Sequence, residues 1–242
     1  MDIHDDVMDK SVTKNNKPTL NGQFGEDLAI LVGDALLMEG FLTLCSIRNS
    51  MDEMLFDRIV TAIKNSLLEV GNAHLTELNL KKTDVLPKDI INLIEKKAAI
   101  FEGIAEIGAI ASKGSNDQVD ALKASARAFG YLVMVREEFI DMFEPSELKN
   151  RLENEYLPLP ILCALEDPKD KKNIMTLLSQ KMTESSVQEL VHLVYDNQNV
   201  IELKKTMENR VSTANRLLQQ QNLIKKPALS LATLIKSVLE DL

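Results

Sequence analysis

Apolar residues recur at helical spacing along nearly the whole chain. One stripe spans positions 28 to 42, and a second runs from Phe56 to Val70 and ends at Gly71. A third pattern begins at Pro87, a residue type that favours the first turn of a helix, and continues to Ser112. Because residues three and four apart share one face of a helix, each stripe predicts an amphipathic helix.

The second half of the chain carries the same periodicity. We predict a loop at 113–117 with a capping Asn or Asp, followed by a long helix from Val119 to Ile140 that ends towards Glu144-Pro145. Three more helices are predicted around 185–195, around 201–219 and after Pro227. No convincing strand, internal repeat or long linker is present. The sequence therefore predicts one all-α domain over residues 1–242, a bundle of about eight or nine helices.

The composition narrows the fold class further. Of 242 residues, 45% are hydrophobic, whereas only 9 are Gly and 7 are Pro, so turn-forming residues are too few for a β-sandwich or barrel. The Gly-rich turns of alternating α/β folds are missing as well. The formal net charge of −9 offers no attraction for a phosphate backbone. Nucleic acid is therefore not an expected partner.

The cysteines and the apolar stretches indicate the compartment. Cys45 and Cys163 are too far apart for a disulfide framework or a metal knuckle, and we interpret both as small core residues of an intracellular protein. The N-terminus is acidic and lacks the apolar region of a signal peptide. The most apolar stretch, 28–45, is interrupted by Asp34 and Glu39. We expect a cytoplasmic protein without a membrane span.

An acidic cluster near the N-terminus is the first candidate site. Residues 5–9 read DDVMD, which on a helix places Asp5 and Asp9 one turn apart with Asp6 beside them. Like charges at this spacing repel, and a divalent cation would relieve the repulsion. Mg²⁺ suits such a cluster because it prefers a few carboxylates together with water and phosphate oxygens. The alternative interpretation is a solvated acidic end of the chain.

A second cluster repeats this spacing. Residues 137–141 read EEFID, late in the long and otherwise apolar helix, so Glu137, Glu138 and Asp141 share one face. Two such clusters on two helices could face each other and hold metal ions between them. The alternative is a charged helix end that Arg136 partly neutralises.

Basic residues supply the other half of a diphosphate site. Lys14 and Lys17 follow the first acidic cluster, in the segment 13–18. Lys96 and Lys97 lie mid-helix before an apolar run, so one of the two is expected to point inward. Pairs of lysines are more often solvated, which is the competing interpretation.

Together these elements resemble the trans-type isoprenyl (polyprenyl) diphosphate synthases. The resemblance covers most of residues 3–165 and rests on the order and spacing of the following segments: Ile3–Asp9 as the first aspartate-rich motif, Lys17–Thr19 as the end of its basic loop, Gly33–Leu37 as Gly-Asp-x-Leu-Leu, Lys96–Phe101 as Lys-Thr-Ala-x-Leu-Phe, Gly130–Asp141 as the second aspartate-rich helix, and Leu159–Ile161 as the Leu-Pro that follows it. The second motif is EExxD instead of DDxxD. Tyr156 stands where the family has a lysine before Leu-Pro.

The resemblance implies a fold and an activity. The fold is the single-domain helical bundle of the isoprenoid synthases. The activity is the Mg²⁺-assisted condensation of an allylic diphosphate with isopentenyl diphosphate, through an allylic cation. Asp5, Asp6 and Asp9 would take the first metal role, and Glu137, Glu138 and Asp141 the second. Lys14 and Lys96 would contact diphosphate. A homodimer, or a heteromer with a related subunit, is implied as well.

One rival interpretation, a non-catalytic subunit, remains open, and two other kinds of site are excluded. The family's N-terminal helices, with their Gly-Lys-x-x-Arg site, do not precede the first motif here, so a non-catalytic or regulatory subunit that pairs with an active partner is the alternative to an enzyme. Glu189 and His192 form the Glu-x-x-His of di-iron bundles, but that site needs a second such pair, which the sequence lacks. No Ser-His-Asp or Cys-His nucleophile set stands out.

Overall fold

The computed structural model describes residues 2–14, 17–80, 84–220 and 227–239, and helices make up nearly all of their regular structure. The α-helices are α1 (Asp2–Met8), α2 (Leu20–Phe24), α3 (Glu26–Ser46), α4 (Glu53–Leu80), α5 (Pro87–Lys97), α6 (Ala99–Ala111), α7 (Asn116–Ile140), α8 (Pro145–Asn154), α9 (Leu159–Leu165), α10 (Pro168–Leu178), α11 (Glu184–Tyr195), α12 (Gln198–Gln220) and α13 (Pro227–Ser237). A 3₁₀ turn spans Arg48–Ser50. The predicted all-α class is confirmed.

Two short strands correct the prediction that the chain has none. β1 (Thr13–Lys14) and β2 (Lys17–Pro18) pair antiparallel, with Thr13 opposite Pro18. Strands of two residues are too short to produce an alternating pattern, so periodicity could not reveal them. The helices are also more numerous than predicted, because several are only two or three turns long.

Three predicted helix boundaries need correction. The second stripe does not end at Gly71, because α4 continues nine residues further to Leu80 and buries Ala73 beyond the glycine. The pattern from Pro87 to Ser112 is two helices, broken at Ala98. The cap of α7 is Ser115, not an Asn or Asp, and its hydroxyl accepts the Gln118 N–H in a capping box.

The described chain falls into two compact units. The first unit comprises Met1–Asp57 with Glu153–Glu155, and the second comprises Arg58–Leu152 with Tyr156–Leu242. A single domain over 1–242 stays a prediction.

In the first unit, α3 packs against α1 and α2 but buries little of its apolar surface. Its buried residues are Ala29 and Gly33. The exposed apolar residues of α3, which we call the α3 apolar surface, are Leu28, Leu31, Leu36, Leu37, Met38, Phe41 and Leu42. Cys45 is also exposed, so its predicted place in the core is wrong. The intramolecular core does not account for this apolar stretch.

By length and composition, Glu26–Ser50 is apolar enough to cross a membrane, with a mean hydropathy of 1.9 in its best window. The expectation of no membrane span assumed that Asp34 and Glu39 interrupt the apolar stretch enough to exclude a span. The stretch is apolar enough even with these two charges. Length and composition do not separate a membrane span from a helix that packs against another subunit. The absence of a span therefore stays a prediction.

In the second unit, α7 lies at the centre and contacts α5, α6, α9, α12 and α13. Its residues Tyr131, Leu132, Val135 and Phe139 are almost completely buried. Each such side chain stabilises the fold by about 1.5–3 kcal/mol through removal of apolar surface from water. Cys163 is buried on α9, as predicted. The central helix therefore holds the second acidic motif in a rigid position.

Candidate functional site

The first acidic motif lies on α1 and the turn that follows it. The Asp9 N–H donates to the Asp5 carbonyl at 2.9 Å, so the helical turn continues through Asp9. Asp5, Asp6 and Asp9 are all partly exposed. Carboxylates one turn apart on one helix present hard oxygen ligands to the same region of solvent. As a donor set, this motif fits Mg²⁺.

Lys14, on β1, is a basic residue beside the first acidic motif. Its Nζ lies 4.0 Å from Asp6 Oδ1. Burial raises the pKa of Asp6; Lys14 opposes this, while Asp2, Asp5 and Asp9 raise the pKa further. Burial alone would lower the pKa of Lys14, but the same aspartates outweigh it and raise that pKa. The region therefore carries excess negative charge, which a bound cation would relieve.

The segment 33–37 contributes to this same unit through a glycine. A Cβ on Gly33 would lie 2.5 Å from the His4 imidazole carbon Cε1, so the glycine lets α3 approach α1 with the imidazole in this position. Asp34, the next residue, has its Oδ1 3.1 Å from His4 Nε2. The lead-in of the first motif and the Gly-Asp pair therefore position each other.

Thr19 fixes the loop after the first motif. It is buried, its hydroxyl donates to the Ser11 carbonyl at 2.7 Å, and the same oxygen accepts the Gly22 N–H at 2.9 Å as the cap of α2. Asn21 donates to the Ser11 carbonyl as well, at 3.3 Å. These contacts hold the end of α1 and the hairpin with Lys14 in a defined register. Lys17 is exposed on β2.

The second acidic motif lies at the C-terminal end of α7, and its central residue is enclosed. Glu138 is only 7% exposed. Its Oε2 accepts a hydrogen bond from Arg151 Nη2 at 2.6 Å and another from the Leu159 N–H at 2.8 Å. Arg151, on α8, is 6% exposed. The Glu138 carboxylate therefore links three helices, and this oxygen does not fit a metal-ligand role without displacing the arginine.

The two flanking carboxylates are more open. Glu137 is exposed, with Arg136 Nη1 at 3.8 Å from its Oε1. Asp141 is partly exposed, and its Oδ2 lies 3.7 Å from Arg151 Nη1. Arg136 lies beside Glu137, as predicted. Arg151 contacts the other two carboxylates of the cluster and makes the shorter contact, and the sequence interpretation missed it.

A second buried network joins α4 and α5. Glu77 on α4 is 5% exposed; its Oε2 lies 2.6 Å from Lys97 Nζ, and its Oε1 accepts a hydrogen bond from the Tyr156 hydroxyl at 2.8 Å. His74 Nδ1 lies 3.4 Å from Glu77 Oε2, which is an electrostatic contact at the long limit of a hydrogen bond. Burial alone would raise the pKa of Glu77, but His74, Lys97 and Tyr156 outweigh it and lower the pKa to about 2.

This network decides between the two lysines at the end of α5. Lys97 is the one that points inward, and Lys96 is exposed. Tyr156 is buried, and burial raises the pKa of its hydroxyl well above the ordinary value, with Glu138 adding to the shift. The phenol therefore stays neutral and can donate to Glu77.

The structure thus brings Asp5, Asp6 and Asp9 together with Lys14 in the first unit, and Glu137, Glu138 and Asp141 together in the second. The predicted facing of the two motifs across a shared cavity stays a prediction, as does a diphosphate contact by Lys96.

Known proteins are similar to this chain in sequence and in fold. The profile of the family described as Polyprenyl synthetase matches residues 3–194. The chain belongs to this family. The match includes both acidic motifs and the buried networks around the second one, so the predicted family is confirmed.

The relatives of this polyprenyl synthetase chain are longer than it is. The heterodimeric geranylgeranyl pyrophosphate synthase large subunit 1 of Arabidopsis thaliana is 34% identical over 157 residues, which cover 60% of this chain and 42% of that protein. The short chain isoprenyl diphosphate synthase of Methanothermobacter thermautotrophicus is 25% identical over 185 residues, covering 73% of this chain and 56% of the relative. The chain spans about half the length of the curated relatives it matches.

Solved structures confirm the fold of the isoprenyl synthases. Geranylgeranyl pyrophosphate synthetase from Pyrococcus horikoshii superposes with a TM-score of 0.83 at 23% identity, over 98% of this chain and 74% of that one. A decaprenyl diphosphate synthase from Rhodobacter capsulatus gives a TM-score of 0.78 at 21% identity, over 99% of this chain and 74% of the other.

Proposed function

We propose that this polyprenyl synthetase chain forms the metal-binding part of a trans-prenyltransferase, which condenses an allylic diphosphate with isopentenyl diphosphate. The observation that carries the proposal is the DDVMD turn, with three carboxylates on one helix and Lys14 at 4.0 Å from Asp6. The aspartates supply the oxygen ligands that Mg²⁺ prefers, and they outweigh burial in raising the pKa of Lys14, which indicates excess negative charge there.

Each residue takes a defined part in this proposal. Asp5, Asp6 and Asp9 would hold Mg²⁺, whose charge neutralises a leaving diphosphate. Lys14 and Lys96 would contact diphosphate oxygens with their ammonium groups. Apolar helix faces would exclude water from the reacting carbons. For Glu137 and Asp141 a metal role stays a prediction, whereas the contacts of Glu138 support a different one.

Turnover by the purified chain tests the proposal. The chain is mixed with Mg²⁺, isopentenyl diphosphate and geranyl or farnesyl diphosphate, and prenyl products are measured by chromatography. We expect Asp5→Asn to lower turnover by roughly 10²–10³-fold, the scale of losing one preorganised electrostatic contact. Glu26→Gln is the control, because Glu26 is exposed at the start of α3 and is not among the groups that shift the pKa of Asp6 or Lys14.

The opposite result would be equal loss in both variants, or activity without a divalent metal. Either would show that the motif is only an acidic surface of α1. Turnover that is lost in Asp5→Asn but kept in Glu26→Gln supports the proposal.

The alternative is a non-catalytic or regulatory subunit that pairs with an active synthase. It requires a surface for that partner, which the α3 apolar surface provides: Leu31, Met38 and Leu42 are each more than half exposed. Exposed apolar patches of this kind mark protein interaction sites. Turnover that requires addition of a second, full-length synthase would identify this chain as the subunit of a heteromer.

In both cases we propose that the α3 apolar surface contacts another subunit, either a second copy or a related chain. Leu31→Glu combined with Leu42→Glu is expected to convert the oligomer to monomer in analytical ultracentrifugation. Glu39→Gln, on the same helix, serves as the control. An unchanged sedimentation coefficient in the double variant would contradict the proposal.

We also propose a cytoplasmic location, which requires that α3 contacts protein and does not span a membrane. Cell fractionation with alkaline extraction tests it, because a chain anchored through Glu26–Ser50 would stay with the membranes. We expect the chain in the extract.

A further inference from the structure

Two protein groups hold one oxygen, Oε2, of the Glu138 carboxylate. Arg151 Nη2 lies 2.6 Å from its Oε2, and the Leu159 N–H donates to the same oxygen at 2.8 Å. Both side chains are nearly inaccessible, at 7% exposure for Glu138 and 6% for Arg151. Buried ion pairs of this kind are costly to break, because the remaining charge has no solvent to stabilise it.

The same arginine reaches a second carboxylate of the motif. Its other terminal nitrogen, Nη1, lies 3.7 Å from Asp141 Oδ2. The third carboxylate, Glu137, has Arg136 at 3.8 Å. Each acidic residue of EEFID therefore has an arginine nitrogen within 4.0 Å. The charge that a divalent ion would neutralise is already opposed by fixed guanidinium groups.

Arg151 is held in this position by more than its acidic partners. The guanidinium carbon lies 4.7 Å from the centroid of the Tyr156 ring. The hydroxyl of that tyrosine donates to Glu77 at 2.8 Å, and Glu77 pairs with Lys97 at 2.6 Å. A continuous line of contacts therefore runs from the second acidic motif through Arg151 and Tyr156 to the end of α5.

We propose that Arg151 is a positioning residue that supplies the positive charge at Glu138 in place of a metal ion, so that Glu138 joins α7, α8 and α9 and does not ligate metal. This inference rests on the proposed function, since it concerns which residues of the two acidic motifs bind metal. It assigns metal binding to Asp5 and Asp9 of the first motif and a structural ion pair to Glu138.

The binding of Mn²⁺ in the presence of inorganic pyrophosphate tests this assignment. Electron paramagnetic resonance counts the bound ions per chain without requiring turnover. We expect Glu138→Gln to keep the ion count and to change the affinity by less than about threefold, because the ligand shell does not include this residue. Glutamine preserves the shape and can still accept the Leu159 N–H. Loss of an ion, or an affinity at least about tenfold weaker, would overturn the proposal.

Removal of the arginine gives the opposite prediction. In Arg151→Gln the carboxylates of Glu138 and Asp141 lose their shared cation, and we expect one additional Mn²⁺ per chain. Arg151→Lys should keep the original count because it keeps the charge. The double variant Glu138→Gln with Arg151→Gln should lack the additional ion. An unchanged count in a folded Arg151→Gln would overturn the proposal, and should this variant fail to fold, the Glu138→Gln result decides.

The experiment separates this inference from the proposed function. If Asp9→Asn does not reduce Mn²⁺ binding, the first motif is not the metal site and the proposed function fails, whatever Glu138→Gln does. If Asp9→Asn abolishes binding and Glu138→Gln weakens it as well, the proposed function stands and only the assignment of Glu138 is overturned.

Discussion

The two acidic motifs share one spacing and differ in what surrounds them. In DDVMD the carboxylates are partly exposed, and the basic residue recorded beside them is a lysine 4.0 Å from Asp6. In EEFID the middle carboxylate is buried against an arginine at 2.6 Å. The sequence spacing therefore places the oxygens on one face, but the neighbours decide whether those oxygens are available to a ligand.

The comparison also separates two electrostatic regimes. Around the first motif, burial and the neighbouring aspartates raise the pKa of Asp6. In the second unit, Glu77 has a pKa lowered to about 2 because three partners outweigh its burial. Excess charge is typical of a binding site, whereas compensated charge is typical of a structural network.

The largest expected difference concerns the two counter-ions. Arg151→Met should lower the free energy of unfolding by about 3–5 kcal/mol, because Glu138 is left buried without its ionic partner. Lys14→Met should cost no more than about 1 kcal/mol, because the lysine is largely solvated and 4.0 Å from its partner. Urea denaturation of both variants measures the two values. Similar losses would remove the distinction between the motifs.

A second test uses pH. The folded-state pKa of Glu77 is lowered from 4.5 to about 2, so its ion pair stabilises the protein above pH 4.5, and this stability is lost as the pH falls towards 2. The contribution is about 3 kcal/mol from the size of the shift. Glu77→Gln should lose this amount at pH 7 and show a flatter stability profile between pH 4.5 and 2. Parallel profiles for wild type and variant would contradict the assignment.

The smallest expected effect is a shift in the titration of Asp6. Lys14 lowers the pKa of Asp6 against the effect of burial, so Lys14→Met should move the midpoint further above the ordinary value of 3.8. Carbon-13 NMR of the side-chain carboxyl measures this midpoint. Lys10→Met, next to the same motif, is the control. A downward shift in Lys14→Met would show that the lysine does not act on Asp6.

The fold was largely predictable, because burial in a helical bundle imposes a period that the sequence displays. Pro87 at the start of α5 and the apolar face of α7 are examples. The boundaries that failed depend on local geometry: Gly71 is tolerated within α4, and Ala98 interrupts a pattern that remains periodic across the break.

The candidate site was predictable only where its members are close in sequence. The spacing of residues 5–9 places the carboxylates on one turn, and the structure has this turn. Arg151 is 13 residues from Glu138, and Glu77 is 79 residues from Tyr156. No local pattern records such pairings, because they arise from the packing of α4, α7 and α8. The available signal would have been an estimate, from the sequence, that Arg151 is buried.

Gly33 and His4 are far apart in the chain but lie against each other in the structure. Since a methyl group at 33 would overlap the imidazole of His4, a larger residue there requires the imidazole to move or to be replaced by a smaller side chain. A smaller residue at position 4 should therefore rescue a larger residue at position 33. The sequence of α1 thus depends on that of α3.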